Sequence, residues 1–428
     1  MTSSTRSRPR KSKLDAQLDV QLDYLAWASH RSQGNPLSAQ AVISNRVLAI
    51  DALRGYAMLG VAIVNAHAFN QGLNIGNYGW DLVLTTYDRA AELISNLVFA
   101  HRSLPLLAFL LGVGLVVQSR ALERAQVSAA LIRRYLALLA IGLVHGLLLW
   151  PGDILAAYAI VVLVLARYAV TWPLAALKWV IGALLCVSFG PTLYGALTAH
   201  YALQCWPDSS VGPASFAQSS WLAARRYAAS EFFEVGLLGQ GLNPNVWALV
   251  LLGVWCGRLD AFWRHLQQPT FRQPLFVAGA ALLAVSSAVE WHTGRAGGWF
   301  ALSCDGRVIW QFYLAETTSM LASVPVLLTL FAWLAQHRSH ALAFRLFEAV
   351  GHAPLTMFVG QSIIFTLAFH AAFAGLYGQI DRFGVLAIAM LTYTLLAVWI
   401  DRQFVRRSVV PPVERLWRRL SSSRGNRR

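Results

Sequence analysis

Charge is scarce in this chain. Asp, Glu, Lys and Arg together make up 13% of the residues, about half the share of a soluble protein. Apolar runs of membrane-crossing length recur from residue 47 almost to the C-terminus, which excludes a soluble protein with a single anchor. Acids are the scarcer sign, 20 against 35 Lys and Arg, leaving a net charge of +15. Cysteine is rarer still. The four cysteines (Cys186, Cys205, Cys256, Cys304) lack the spacing of a zinc site, and no metal is expected. No P-loop, dinucleotide fingerprint, HExxH or GxSxG motif occurs, so the nucleotide, metalloprotease and α/β-hydrolase chemistries have no footing. The basic N-terminal cluster (Arg6, Arg8, Arg10, Lys11, Lys13) is not followed by a signal-type apolar core, and cleavage is not expected.

What is present reads as an all-α integral membrane protein of about ten transmembrane helices. The crossings are Val47–Phe69, Leu104–Gln118, Tyr135–Trp150, Ile154–Val170, Leu174–Thr198, Asn245–Gly257, Leu275–Val289, Ile309–Leu334, Ala349–Ala374 and Phe383–Ile400. Long unbroken apolar runs exclude a strand barrel. With both termini in the cytoplasm, only Arg89, Arg102, Arg225, Arg226, Arg295, Arg307 and Arg382 fall in outer segments. The positive-inside rule supports that orientation. The basic excess is therefore topological: it favours anionic membrane lipids as partners and argues against nucleic acid. The organisation is a basic tail (1–46), an N-terminal transmembrane half (47–257), a C-terminal half (258–401) and a basic cytoplasmic tail (402–428). Leu14–Leu25 repeats Leu-Asp and reads as a short amphipathic helix or a disordered tail. Leu82–Ala100 reads as an interfacial helix or an early start of the second crossing. Ala199–Pro244 reads as a long outer loop, and a Cys205–Cys304 disulfide is one expectation for an oxidising outer compartment.

Several spans carry polar groups that a mere anchor would avoid. Asp51 and Arg54 share a helix face near the cytoplasmic end of the first span. They read either as a self-neutralising pair or as an anchor for an anionic cofactor, such as a nucleotide phosphate. Asn65 and His67 sit near the other end. Asn65 is interhelical glue or a hydrogen-bond donor to a reaction, and His67 an interfacial group or a general base. His101 and Arg102, just before the second crossing, are headgroup contacts or a substrate site for an anion. In GLVHGLLLWPGDILAAYA, Pro151-Gly152 makes a turn and Asp153 caps the next helix. His145 lies within the preceding span, where Asp153 would orient it if the hairpin folds that way, and Tyr158 follows one turn on. The ninth span holds His352, Thr356, Gln361, Ser362 and His370. Thr356 and Ser362 are expected to bond their own helix, Gln361 needs a partner across helices, and Pro354 bends the helix or sits in its first turn. Glu316 is a buried acid with no obvious local partner.

The run from Arg46 through Asp51-Ala-Leu-Arg54-Gly55 to Asn65 resembles the opening signature of the YeiB family of bacterial inner-membrane proteins. The hairpin through His145, Trp150, Asp153 and Tyr158 is similar to a second signature. Gly351, Leu355, Thr356, Gln361 and Ser362 resemble a third, and Pro412, Glu414, Leu416, Trp417 and Arg418 a fourth, in that family's C-terminal domain of unknown function 418. His352 stands where the family has arginine, Met357-Phe358 where it has asparagine-tyrosine, and Pro411 where it has glycine. The family in turn looks related to membrane acyltransferases of the heparan glucosaminide acetyltransferase type. Those take an acyl group from coenzyme A in the cytoplasm and deliver it to a sugar across the membrane. Their catalytic histidine follows the asparagine by about three helical turns, a region without histidine here.

The resemblance implies an inner-membrane acyltransferase with acyl-CoA as donor and a small-molecule or glycan acceptor. His145 or His67 would be the base, Asp153 its orienting group and Asn65 the oxyanion donor. Asp51 and Arg54 would hold the donor, and His101, Arg102, Tyr158, Gln361 and Ser362 would line the substrate path. A small-solute transporter and a structural or regulatory membrane protein are the alternative readings. One tunnel entering from the cytoplasm favours the enzyme, and a midplane cavity between two like halves favours transport.

Overall fold

The computed structural model describes residues 36–71, 85–120, 124–198, 220–296 and 306–422, and every regular element among them is helical. Helix α1 (Pro36–Gln71) is the central post, and its interior carries buried Ala, Leu, Val and Ile on all sides. Helix α2 (Thr86–Ile94) starts at a capping box between Thr85 and Asp88. It runs through a π-helical turn and a break near His101 (φ 55°) into α3 (Ser103–Arg120). The ambiguous segment is thus a helix leading into the second span. Helix α4 (Arg124–Leu148) and α5 (Leu155–Ala169) form the expected hairpin. Helix α6 (Leu174–Thr198) follows.

The described part of the expected outer loop Ala199–Pro244 is mostly helix. Helix α7 (Trp221–Gly239) packs Ala224, Ala228 and Phe232 inward and meets α8 (Pro244–Arg258) at 51°. Pro244 cannot donate to a continuing helix and instead opens a new one, capped by the Asn243 side chain. Short α9 (Asp260–Leu266) leads to α10 (Pro269–Ala296) and α11 (Gly306–His337). The expected ninth span is broken: α12 (Leu342–His352) and α13 (Pro354–Phe369) meet at 96°. Ala353 lies at the bend and Pro354 opens α13, because proline disfavours helical backbone in the residue before it. Helices α14 (Arg382–Ile400) and α15 (Pro412–Ser421) complete the chain.

Six of the described helices are long and apolar enough to cross a membrane, or up to eight if each bent pair is one span. The expectation of ten continuous crossings gives way to this: two are bent pairs, and α5 and the apolar part of α6 are shorter. Large apolar side chains such as Val277, Val285, Leu391 and Leu395 point outward from the bundle. An apolar exterior of this kind belongs in lipid. The Leu14–Leu25 repeat, Cys205 and Cys304 lie outside the described residues.

Two helix crossings are closer than any side chain permits. A Cβ on Gly55 would lie 1.9 Å from the Phe347 carbonyl oxygen, and one on Gly351 would lie 1.9 Å from that of Asp51. Helices α1 and α12 therefore cross backbone to backbone, small residues allowing van der Waals contact where lipid gives no hydrophobic drive. Gly112 and Gly253 join α3 and α8 in the same way. At the far end, Asn70 donates to the Ile380 carbonyl at 2.9 Å and Arg382 pairs with Glu92 at 2.5 Å, tying α14 to α1 and α2.

Candidate functional site

A cavity of about 310 Å³ opens between α1, α3, α4, α5, α13 and α15. Arg54, Arg134, Arg418 and His352 gather at one end, with Gln118 and Glu414. Met58, Leu107, Leu111, Leu138, Leu155 and Phe358 line it further in. A cationic mouth on an apolar bore fits a molecule with an anionic head and an uncharged arm. Arg54 is held by Asp51 at 2.8 Å, and His352 stands 3.7 Å from the other Asp51 oxygen. The pair and the anchor readings of Asp51–Arg54 are therefore compatible, since the paired arginine still lines the cavity.

The mouth is closed on one side by α15. Its Glu414 carboxylate accepts from the backbone N–H groups of Leu355 (2.8 Å) and Thr356 (3.0 Å) and from the Thr356 hydroxyl. That caps α13, whose first N–H groups have no helical partner. Thr356 thus bonds across elements rather than to its own helix. Trp417 donates to the Arg134 carbonyl at 2.7 Å, and the Arg134 guanidinium lies 4.8 Å from its ring centre. The single sequence could have yielded Glu414 and Arg418 through the motif they share. Arg134 reads there as one more positive-inside cation.

Behind Phe358 lies a buried dyad. His145 Nδ1 is 2.7 Å from Asp153 Oδ2, and both side chains are almost wholly enclosed. Asp153 uses its other oxygen to accept from Ala156 N–H at 2.8 Å, at the start of α5. One carboxylate therefore both caps the helix and orients the histidine. The hairpin is tight enough for this because Gly142 lets α4 lie against Ala156 (a Cβ there would fall 2.4 Å from its nitrogen). With an ionised carboxylate and a neutral imidazole, Nδ1 carries the proton and Nε2 presents its lone pair. Nε2 is buried without a hydrogen-bond partner among the described residues. The His145 ring lies 4.7 Å from that of Phe358, the residue separating it from the cavity.

The other residues singled out in the sequence are distributed as follows. Asn65 is buried with an unpartnered amide nitrogen, and Gln361 is fully buried with neither amide atom bonded among the described residues. Ser362 bonds its own helix at Phe358 O, as expected. Tyr158 lines the cavity and donates to the Leu104 carbonyl at 2.8 Å. His67 has its Nε2 3.3 Å from Ser95 Oγ. His101 and Arg102 form a separate cluster. His101 pairs with Glu316 at 2.8 Å, which supplies the partner that acid lacked in the sequence. Arg102 is almost completely buried and donates to Asn96 O, Ala100 O, Ser287 Oγ and Ser319 Oγ. Its Nη1 and Nη2 hydrogens are thus committed within the bundle.

Comparison with known proteins matches residues 256–424 to a family described as a protein of unknown function, DUF418. The chain is 26% identical over 405 residues to the "Uncharacterized protein YxaH" of Bacillus subtilis (strain 168), covering 89% of this chain and 96% of that protein. It is 26% identical over 400 residues to the "Uncharacterized protein YeiB" of Escherichia coli (strain K12), covering 88% and 96%. Its C-terminal part thus matches the DUF418 model, and most of the chain is similar to YxaH and YeiB.

Proposed function

We propose that this protein is a bacterial inner-membrane acyltransferase that moves an acyl group from an acyl-CoA-type donor, entering on the cytoplasmic side, to an acceptor reached from the outer half. The observation that carries the reading is the His145–Asp153 dyad, buried one aromatic ring behind a cavity with a cationic mouth. Arg54, Arg134 and Arg418 hold the donor's phosphates, and the apolar bore takes its uncharged arm toward Phe358. His145 Nε2 accepts the acceptor's proton as the acceptor atom bonds to the thioester carbonyl carbon. The oxyanion receives a hydrogen bond from Asn65 Nδ2. The C–S bond then breaks, and the leaving sulfur takes the proton back from the imidazolium. Asp153 holds the required tautomer throughout. Phe358 must swing aside for donor and base to meet.

The test is transfer of labelled acetyl from acetyl-coenzyme A by purified protein in membranes. His145→Ala is expected to lower the rate by about 10²–10⁴-fold, the usual worth of a positioned base. His67→Ala, on the other face of α1, is expected to leave it within a few-fold. An unchanged rate in His145→Ala removes the mechanism.

A further inference from the structure

Beyond Phe358, α1, α4 and α13 bury a group of polar side chains at one level of the bundle. Four atoms there are buried without a hydrogen-bond partner among the described residues: Asn65 Nδ2, His145 Nε2 and both amide atoms of Gln361. Buried polar groups are nearly always paired, so several unpaired ones at one level of a bundle point to something they bind. The level follows from the rings above and below. Phe69, one turn beyond Asn65, stacks on Trp150 at 3.9 Å and meets Phe365, one turn beyond Gln361, at 5.5 Å. Trp150 N–H in turn donates to the His145 carbonyl at 3.0 Å. These three rings lie on the outer side of that level. Phe358, one turn before Gln361, lies on its cavity side.

The donors and acceptors name the guest. Asn65 Nδ2 and Gln361 Nε2 donate, while Gln361 Oε1 and His145 Nε2 accept. Both carboxylate oxygens of Asp153 are already engaged, by His145 and by Ala156 N–H. An ammonium acceptor brings a charge and only donors, and finds no uncommitted carboxylate here. A hydroxyl brings one proton for His145 and lone pairs for an amide. We infer that Asn65, His145 and Gln361 form a binding site for a neutral, hydroxyl-bearing acceptor, with Gln361 holding the acceptor oxygen against the base. The inference rests on the acyl-transfer reading for its chemistry but not for its binding test.

Saturation-transfer NMR on detergent-purified protein is that test, with 1,2-propanediol and propylammonium as matched probes. The expected result is saturation of the diol methyl in the wild type, at least fivefold weaker in Gln361→Leu and Asn65→Leu, and none for propylammonium. Gln361→Leu is also expected to melt at the wild-type temperature or above, since it removes atoms that no protein group satisfies. A diol signal indifferent to Gln361→Leu, an equal signal for propylammonium, or a clearly lower melting temperature, marking Gln361 as structural glue, would each overturn the assignment. Acetyl transfer separates the two claims. Binding of the diol with no transfer from acetyl-coenzyme A sinks the enzyme and leaves the site. Transfer to both probes alike, untouched by Gln361→Leu, sinks the site and leaves the enzyme.

Discussion

Asp153 does two things with two oxygens, and a single substitution separates them. In Asp153→Asn the oxygen must stay on Ala156 N–H, because an amide NH₂ there would face another donor. The NH₂ then faces His145 Nδ1, strips it of its proton and moves that proton to Nε2, where a base is useless. Transfer is expected to fall about 10²–10⁴-fold while the helix cap survives. Asp153→Ala loses the cap as well, about 1 kcal/mol of stability, so thermal melting tells the two variants apart. The dyad was legible as two residues around a Pro-Gly turn. The Ser287 and Ser319 partners of Arg102 and the partners of Glu414 were not, because they come from segments some 60 to 220 residues away, which no local spacing encodes.

At the scale of elements, the apolar runs located the long helices but not α7, α9 or α15, and Pro354 marked the break in the ninth span. The angle at that break is a tertiary matter. Helix α12 lies across α1 because Gly55 and Gly351 remove the side chains that would hold the two apart. Gly55→Ala places a methyl group against the Phe347 carbonyl, and the helices must separate or bend. A loss of about 1–3 kcal/mol is expected, the usual cost of overpacking. Gly182, with open space around it, tolerates alanine, and the paired melting curves form the check. Helix α15 was invisible as a structural element in a tail that read as basic and as carrying the fourth signature. It holds α13 and α4 together through Glu414 and Trp417, on opposite walls of the cavity. Glu414→Gln keeps one acceptor oxygen but loses the charge at the α13 N-terminus. It should weaken the cap by about 0.3–2 kcal/mol and loosen the cavity mouth. Faster proteolysis at the C-terminus would report it.

For the molecule as a whole, the placement of charge decides which side the cavity serves. Arg54, Arg134 and Arg418 converge at the end of the bundle where α15 lies. Arg120, paired with Asp260, and Arg258, bonded to the Ala169 carbonyl, belong to helix ends that the positive-inside rule assigns to the cytoplasm. In the proposed orientation the cavity faces the cytoplasm, the compartment that would supply a coenzyme A thioester. Two measurements follow from one geometry. A cysteine at Ser422, in a background where Cys186, Cys205, Cys256 and Cys304 are serine, should react with an impermeant maleimide only after the membrane is opened. Labelling of intact cells would invert the topology and move the cavity to the outside. Binding of acetyl-coenzyme A should also weaken steeply with salt, because the contacts at the mouth are charge on charge in partly wet surroundings. Replacing Arg134 or Arg418 with Gln should each raise Kd about tenfold or more, in line with hydrogen bonds to charged groups. The salt dependence should become shallower in both variants. If affinity falls but the salt dependence stays, the arginines shape the mouth without meeting the phosphates. The donor's head must then be sought along His352 and Gln118.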